Sequence, residues 1–461
     1  MTDQPPPSSV AHDLAARIPG EVLVAGEPGY DEARTPYFGI RDGHPVAVVR
    51  PADAVDVATV VETATRSGLP LHVRGGGHHA AGHATGDGLL LDLTSLRGLS
   101  VGATNDRDGA SVWAGGGLTA GEVTNALAQH GLAVGFGDTD SVGIGGLTLS
   151  GGLGFLSRRH GMTIDNLLGA EVVTADGRVR RVDAGRDPDL FWALRGGGGS
   201  FGVVTRFHYR AVPVTEVYGG ALFLPATPQA LERVVAVSCA ADDALSVIAS
   251  VIPTPPLDEL PAEQHGQPVL MVRVCWAGDI RRGEQAVAPL RAAADPVADL
   301  VGPMPYSELL ALPTRSHGAV IAVRSLFLDH VDTATAEMML DYMARSDAPL
   351  RMVQLRALGG AIGRVDPAAT AFAHRRSGIM VVIASNDEPD LETARDWAEE
   401  LATKVAQDDP GGYVGFFGPH DDGRIGSAYP PATLARLRQV KATYDPANLF
   451  RHNDNITPAT P

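Results

Sequence analysis

The chain has 461 residues, 44% of them hydrophobic and 20% charged, enough for a sizeable core and more than one domain of ordinary size. A formal net charge of −17, from 54 acidic and 37 basic side chains, repels phosphate backbones and anionic bilayers, so no nucleic-acid or membrane partner is expected. Two cysteines, Cys239 and Cys275, are too few for a disulfide framework and lack metal-ligand spacing. Both lie in apolar runs and read as small buried hydrophobes, so no metal centre is expected. The start, MTDQPPPSSVAHDL, lacks the charged-then-apolar pattern of a secretory leader, and no apolar run approaches the ~18 residues of a membrane span. The expected location is cytoplasmic.

After this polar, proline-rich leader, residues 45–64 (PVAVVRPADAVDVATVVETA) predict a short strand, a proline stop and a helix. In that helix Val57, Val60, Val61 and Ala64 fall at i, i+3, i+4 and i+7, one apolar face. LPLHVR predicts a second strand, cut short by three glycines and two histidines. GLLLDLTSL and GASVWAGGGL continue the strand pattern, and LTAGEVTNALAQHG predicts a helix closed by Gly131. Strands and helices alternate, as in a mixed α/β lobe. Glycine clusters continue to residue 202; residues 214–412 then carry longer candidates, among them QALERVVAVSCAADDAL, PVLMVRVCWAG and LETARDWAEELATKVAQ. A domain boundary is therefore placed near residue 213, and Tyr413–Pro461 reads as a last segment of polar and aromatic residues set in turns.

Three glycine-rich stretches ask for a chemical reason. In RGGGHHAAGH (74–83) three glycines at a strand end leave backbone N–H groups unshielded, a nest for phosphate oxygens to which Arg74 would add a charged donor. A tight structural turn would explain the glycines, but not an arginine followed by paired histidines. In GFGDTDSVGIGGLTLSGGLGFLSRRHG (135–161), glycine beside Ser, Thr and Asp fits a backbone lying close against a ligand. In FWALRGGGGSFGVVTRFHYR (191–210), Gly197, Gly199 and Gly202 satisfy G-x-G-x-x-G. That pattern should follow a strand and open a helix; here it follows a predicted helix and leads into a predicted strand, so a dinucleotide-binding βαβ unit is rejected. Composition and spacing reach a nucleotide-binding protein with a glycine-lined groove, and no further.

In these motifs, and in the closing YDPANLFRHNDNITP, the chain resembles the FAD-linked oxidases of the vanillyl-alcohol oxidase fold, in the berberine bridge enzyme-like branch. The resemblance implies an α+β, two-lobed FAD-binding fold: residues 1–212 bind FAD, 213–412 form a substrate lobe on a central antiparallel sheet covered by helices, and 413–461 return to the FAD lobe. The family's R-x-G-G-H segment falls on Arg74-Gly75-Gly76-Gly77-His78, which implies an 8α-histidyl link from His78 to FAD, with His79 the fallback. A second, cysteinyl link found in some members falls on Thr139 of Thr139-Asp140-Ser141-Val142-Gly143-Ile144-Gly145-Gly146, which implies a singly attached flavin. Val142 matches the position that gates oxygen in the family, and a valine there favours an oxidase.

The resemblance carries the groove on through 146–155, Asp165-Asn166 and the backbone at Gly202, Val203 and Val204 near the adenine, with Asn453 near the isoalloxazine. For Asn453 a solvated terminal turn is the competing reading. The implied reaction is hydride removal from a C–OH or C–N bond of a small organic molecule, with O2 as acceptor. Tyr413, in Tyr413-Val414-Gly415 where the family has Y-x-N, is the choice for proton acceptor; a strand tyrosine packed between lobes is the alternative. Such a base needs a depressed pKa or a coupled transfer, since a free tyrosine titrates near ~10. His374, on the family's central sheet, is read as a structural pair rather than a substrate ligand, and Tyr429 as packing. Substrate identity and oligomeric state stay open.

Overall fold

The computed structural model describes residues 7–103, 109–311, 319–386, 391–409, 411–418 and 424–460. Three sheets organise them. The first has four strands in the order Glu21–Leu23, Pro45–Arg50, Gly88–Asp92, Leu71–Arg74, the last three mutually parallel. Helix Ala54–Ser67 covers it, capped by the Asp53 carboxylate on the N–H groups of Val55 and Asp56 and closed by Gly68 at φ +68°. Its stripe of Val57, Val60, Val61 and Ala64 is buried, as the periodicity predicts.

The leader is not a structureless preface. Helix Pro7–Arg17 buries Val10, Ala11 and Leu14 against the same core, and Glu21–Leu23 pairs antiparallel with Pro45–Arg50. Helix and strand are short, which is why the prolines and polar residues around them hide the pattern; the leader's first six residues lie outside the described set.

The second sheet is antiparallel and centres on the long strand Val203–Pro213, flanked by Ala110–Gly115 and Leu167–Val173. Helix Ala120–Ala128 packs nearby behind a reciprocal cap, in which the Thr119 hydroxyl accepts from Glu122 N–H and the Glu122 carboxylate from Thr119 N–H. Gly131 follows at φ +67°. The third stretch runs from helix Pro188–Leu194 through the glycines into strand Val203–Pro213, the reverse of a dinucleotide-binding turn.

The third sheet is antiparallel throughout and eight-stranded, its path running Ala298–Asp299, Glu216–Pro225, Pro268–Trp276, Leu245–Pro253, Leu350–Ala357, Ile379–Asn386, Ala322–Leu328. Helices Pro228–Ala240, Thr333–Arg345 and Leu391–Val405 cover one face. Alternation divides the strand Ile379–Asn386 between the faces: Ile379, Val381 and Ile383 meet the helices, whereas Met380, Val382 and Ala384 turn to the N-terminal lobe beside Tyr37, Phe38 and Leu153. Cys275 is buried as expected, but Cys239 is exposed. Helix Pro228–Ala240 buries Leu231, Val234, Val235 and Ser238, and Cys239 falls one position off that stripe.

Candidate active site

Strand Leu71–Arg74 ends in the loop that carries His78. Of its three glycines only Gly77 has positive φ, at +73°. Gly76 serves another end: a Cβ there would stand 2.3 Å from Gly143 N, and one on Gly143 would stand 2.3 Å from Gly76 N. The first and second glycine stretches therefore touch backbone to backbone, which no side chain permits. Gly75 and Gly145 both face the carbonyl of Gly116, at 3.6 and 3.1 Å from their would-be Cβ atoms. Val142, half-buried, anchors the crossing by accepting from Ala120 N–H at 2.9 Å. Thr139 sits half-buried in the same loop.

Within the three glycine-rich stretches, two glycines have open space where a side chain would go. Nothing lies within 4 Å of a Cβ on Gly146, in the first turn of helix Ile144–Ser150, or on Gly198. Ser141 Oγ and Asn455 Oδ1 are buried without hydrogen-bond partners among the described residues. A bare, concave backbone with orphaned polar atoms fits a ligand of nucleotide shape, so the residues present are compatible with FAD. The third stretch joins through Asn453, whose Oδ1 accepts from Ser200 Oγ at 3.0 Å and whose Nδ2 lies near Gly199. Buried Lys441 fixes that corner by donating to the carbonyls of Ser200 and Phe450 and to Asp445 at 2.6 Å. Val203 and Val204 pair with Val173 and Val172, a Cβ on Gly202, at φ +151°, would stand 2.7 Å from Val173 O, and Val203 joins the core of the first sheet with Phe450.

The ring of His78 stacks on Tyr37 at 3.8 Å, with Phe38 edge-on. Both aromatics come from the leader, where no periodicity marks them. Tyr37 and Phe38 share a buried cluster with Tyr413 and the groove-facing residues of the third sheet. Tyr413 caps the short 3-10 turn Val414–Phe416 rather than lying in a strand. Its hydroxyl accepts from Gly152 N–H at 2.9 Å, and its backbone exchanges hydrogen bonds with Ser325 of the sheet. Burial pushes the phenol up to about 12, against the opposing pull of the Gly152 N–H and the Arg356 charge.

Several expected roles are corrected. Arg74 is not a donor aimed at the groove: its guanidinium is buried and donates to Asp92 at 2.8 Å and to the carbonyls of Ala33 and Thr35. A buried cation at a strand end needs its charge matched internally, and Asp92 on the adjacent strand supplies that. The side chains of Asp165 and Asn166 are likewise engaged within the protein. Asp165 takes a bidentate pair from Arg375 at 2.8 Å, tying the two domains, and Asn166 bonds His160 O, Met162 O and Arg210. His374 lies in the connection before strand Ile379–Asn386, not on the sheet. Its Nδ1 meets Asp409 at 3.1 Å and its Nε2 meets Ala428 O at 3.0 Å, so both nitrogens are structurally engaged. Tyr429 is buried and donates to Gly196 O.

Asp138 is a site residue that the sequence did not mark. It accepts from Arg356 at 2.9 Å and faces Arg273 at 3.6 Å, so one carboxylate of the glycine-rich loop is shared by two guanidiniums of the third sheet. Burial opposes its ionisation, but the two cations hold it below the usual carboxylate range.

Residues 45–183 match the FAD binding domain family, and residues 422–457 match the family described as berberine and berberine like. The chain is 30% identical over 459 residues to (R)-6-hydroxynicotine oxidase of Paenarthrobacter nicotinovorans, covering 96% of this chain and 97% of that one. The crystal structure of 6-hydroxy-D-nicotine oxidase from Arthrobacter nicotinovorans superposes with a TM-score of 0.84 at 26% identity, over 96% of this chain and 98% of the other. Glucooligosaccharide oxidase from Acremonium strictum, which carries a 6-S-cysteinyl, 8α-N1-histidyl FAD, shares the fold with a TM-score of 0.83 at 22% identity, over 98% of this chain and 100% of that one.

Proposed function

The chain belongs to the berberine bridge enzyme-like FAD-linked oxidoreductases, and from that premise we propose that it is an oxidase of a small organic alcohol or amine, with FAD held covalently by His78. One observation carries the reading. One buried cluster joins Tyr37, on which His78 stacks, to Tyr413 and to Met380, Val382 and Ala384 of the antiparallel sheet, and Gly198 N–H donates to Leu149 O of the helix that carries the open Gly146. Support for a single covalent link is Thr139, standing where the resemblance places the cysteine of doubly attached members. Support for O2 as acceptor is Val142.

When bound, FAD supplies the two-electron acceptor: a carbon-bound hydrogen leaves as hydride, and O2 is reduced to H2O2 as the C–OH or C–N carbon is oxidised. The chain's own residues do the rest. Gly75–Gly77, Gly145 and Gly146 would offer backbone N–H groups to the cofactor, whereas Ile144 N–H is spent on Leu118 O. The face of Met380, Val382 and Ala384 excludes water from the junction. Tyr413 accepts the heteroatom proton as its phenolate, whose oxygen charge the Gly152 N–H, already donating there, stabilises. With a phenol at about 12, that phenolate is the minor form near neutral pH and its share grows as pH rises.

The test is acid precipitation of the purified protein and of its His78→Ala variant, followed by absorbance of pellet and supernatant. Yellow colour in the wild-type pellet that moves to the supernatant in the variant is the expected result. Flavin released from wild type overturns the covalent link. Substrates that bleach the flavin without peroxide release overturn the oxidase assignment in favour of another electron acceptor.

A further inference from the structure

We propose that His79, His83 and Asp454 form a site for one divalent transition-metal ion, which clasps the loop bearing His78 to the C-terminal motif. The loop is shaped for it. Gly82 N–H donates to His79 O at 3.0 Å, and Gly82 takes φ +69°, so the chain turns and brings the His83 ring back over that of His79, at 4.9 Å between centroids. Asp454 then enters from the far end of the sequence. Its Oδ2 is 2.9 Å from His79 Nε2 and its Oδ1 is 3.5 Å from His83 Nε2. One ligand atom from each of the three residues lies within 4.8 Å of the others. A tetrahedral ion with bonds of about 2.0–2.1 Å sets its ligand atoms roughly 3.3 Å apart, so small side-chain rotations close the set.

Two imidazoles and one carboxylate select a first-row divalent ion such as Zn2+ over Ca2+ or Mg2+, which prefer all-oxygen cages. A fourth position stays open for water. A second observation points to a missing ligand. His452, two residues before Asp454, stacks on His72 at 4.3 Å, and its Nε2 is buried with no hydrogen-bond partner among the described residues. A buried, orphaned nitrogen on a ring stacked against His72, two residues before Asp454, is costly unless an ion, or the water on one, satisfies it. Binding has one local cost. His79 Nδ1 accepts from Ala81 N–H at 3.2 Å, and ligation through Nε2 requires that nitrogen to carry the proton, so this long hydrogen bond is exchanged for the metal bond.

The experiment uses the flavin-loaded enzyme, stripped with a chelator, equilibrated with Zn2+ and desalted. Metal is counted by mass spectrometry, affinity is read by calorimetry, and Tm is recorded with and without Zn2+. One Zn2+ per chain with a raised Tm is expected, since an ion bound only by the folded state stabilises it. His83→Gln, which keeps size and polarity, and Asp454→Asn are each expected to weaken binding by about tenfold or more. A wild-type stoichiometry near zero overturns the proposal without reference to any variant. Undiminished uptake by both variants overturns it equally.

Discussion

The hydroxyl of Tyr413 is held by Gly152 N–H at 2.9 Å inside a buried cluster. Its phenol, raised to about 12 by burial, stays neutral through the ordinary working range, because a raised acid pKa delays loss of the proton. Tyr413→Phe is therefore expected to lower kcat by roughly 10²-fold or more, the usual worth of a positioned proton acceptor. The wild-type pH–rate profile should rise between pH 7 and about 10, because the phenolate fraction grows as pH approaches the raised pKa. Steady-state kinetics across pH checks both. A rise in that interval that persists in Tyr413→Phe would sink the assignment of Tyr413 as the base. Legibility at this scale was uneven. Tyr413 was singled out from its motif, but its state depends on burial and on a partner in another segment. Arg74 looks like an anion donor in the sequence, which shows the charge but not Asp92 beside it.

At the scale of elements, the glycine stretches do different work that their similar composition hides. Gly146 and Gly76 separate ligand space from backbone contact. Gly146 has an ordinary φ within a helix and nothing within 4 Å of its would-be Cβ, so Gly146→Ala should fold and even gain about 0.5–1 kcal/mol without cofactor. If the open space is the cofactor's, the same variant incorporates less flavin, read as the ratio of flavin to protein absorbance. Normal flavin loading would remove Gly146 from the cradle. Gly76→Ala instead meets Gly143 at 2.3 Å and should fail to give soluble protein, since backbone cannot retreat as a side-chain tip can. Elements of strong periodicity, such as helix Ala54–Ser67 and strand Val203–Pro213, were legible because each buries one regular face. The leader's helix and edge strand were not. They are short and flanked by prolines, and their apolar residues gain meaning only against a sheet built from later sequence.

Across the whole molecule, the domains are joined by charges as well as by apolar surface. Asp138 is shared by Arg273 and Arg356, and Asp165 takes both arms of Arg375. Asp138→Asn leaves two buried guanidiniums without their carboxylate and is expected to cost about 3–5 kcal/mol, the measured range for breaking a buried pair from one side. Urea unfolding, followed by tryptophan fluorescence, checks it. A change within about 0.5 kcal/mol would mean that water already screens the pair.

The amino-acid sequence by itself determined the class of the protein. Its glycine stretches, R-x-G-G-H segment and closing motif are local patterns, and local backbone requirements are written in consecutive residues. Only the tertiary structure decided which charged groups are spent internally and which face the groove. It alone showed that leader aromatics pack on His78, and that Asp454 meets His79 and His83. Those outcomes depend on contacts between segments hundreds of residues apart, where burial and the nearest opposite charge set a side chain's role, and neither can be read along the chain.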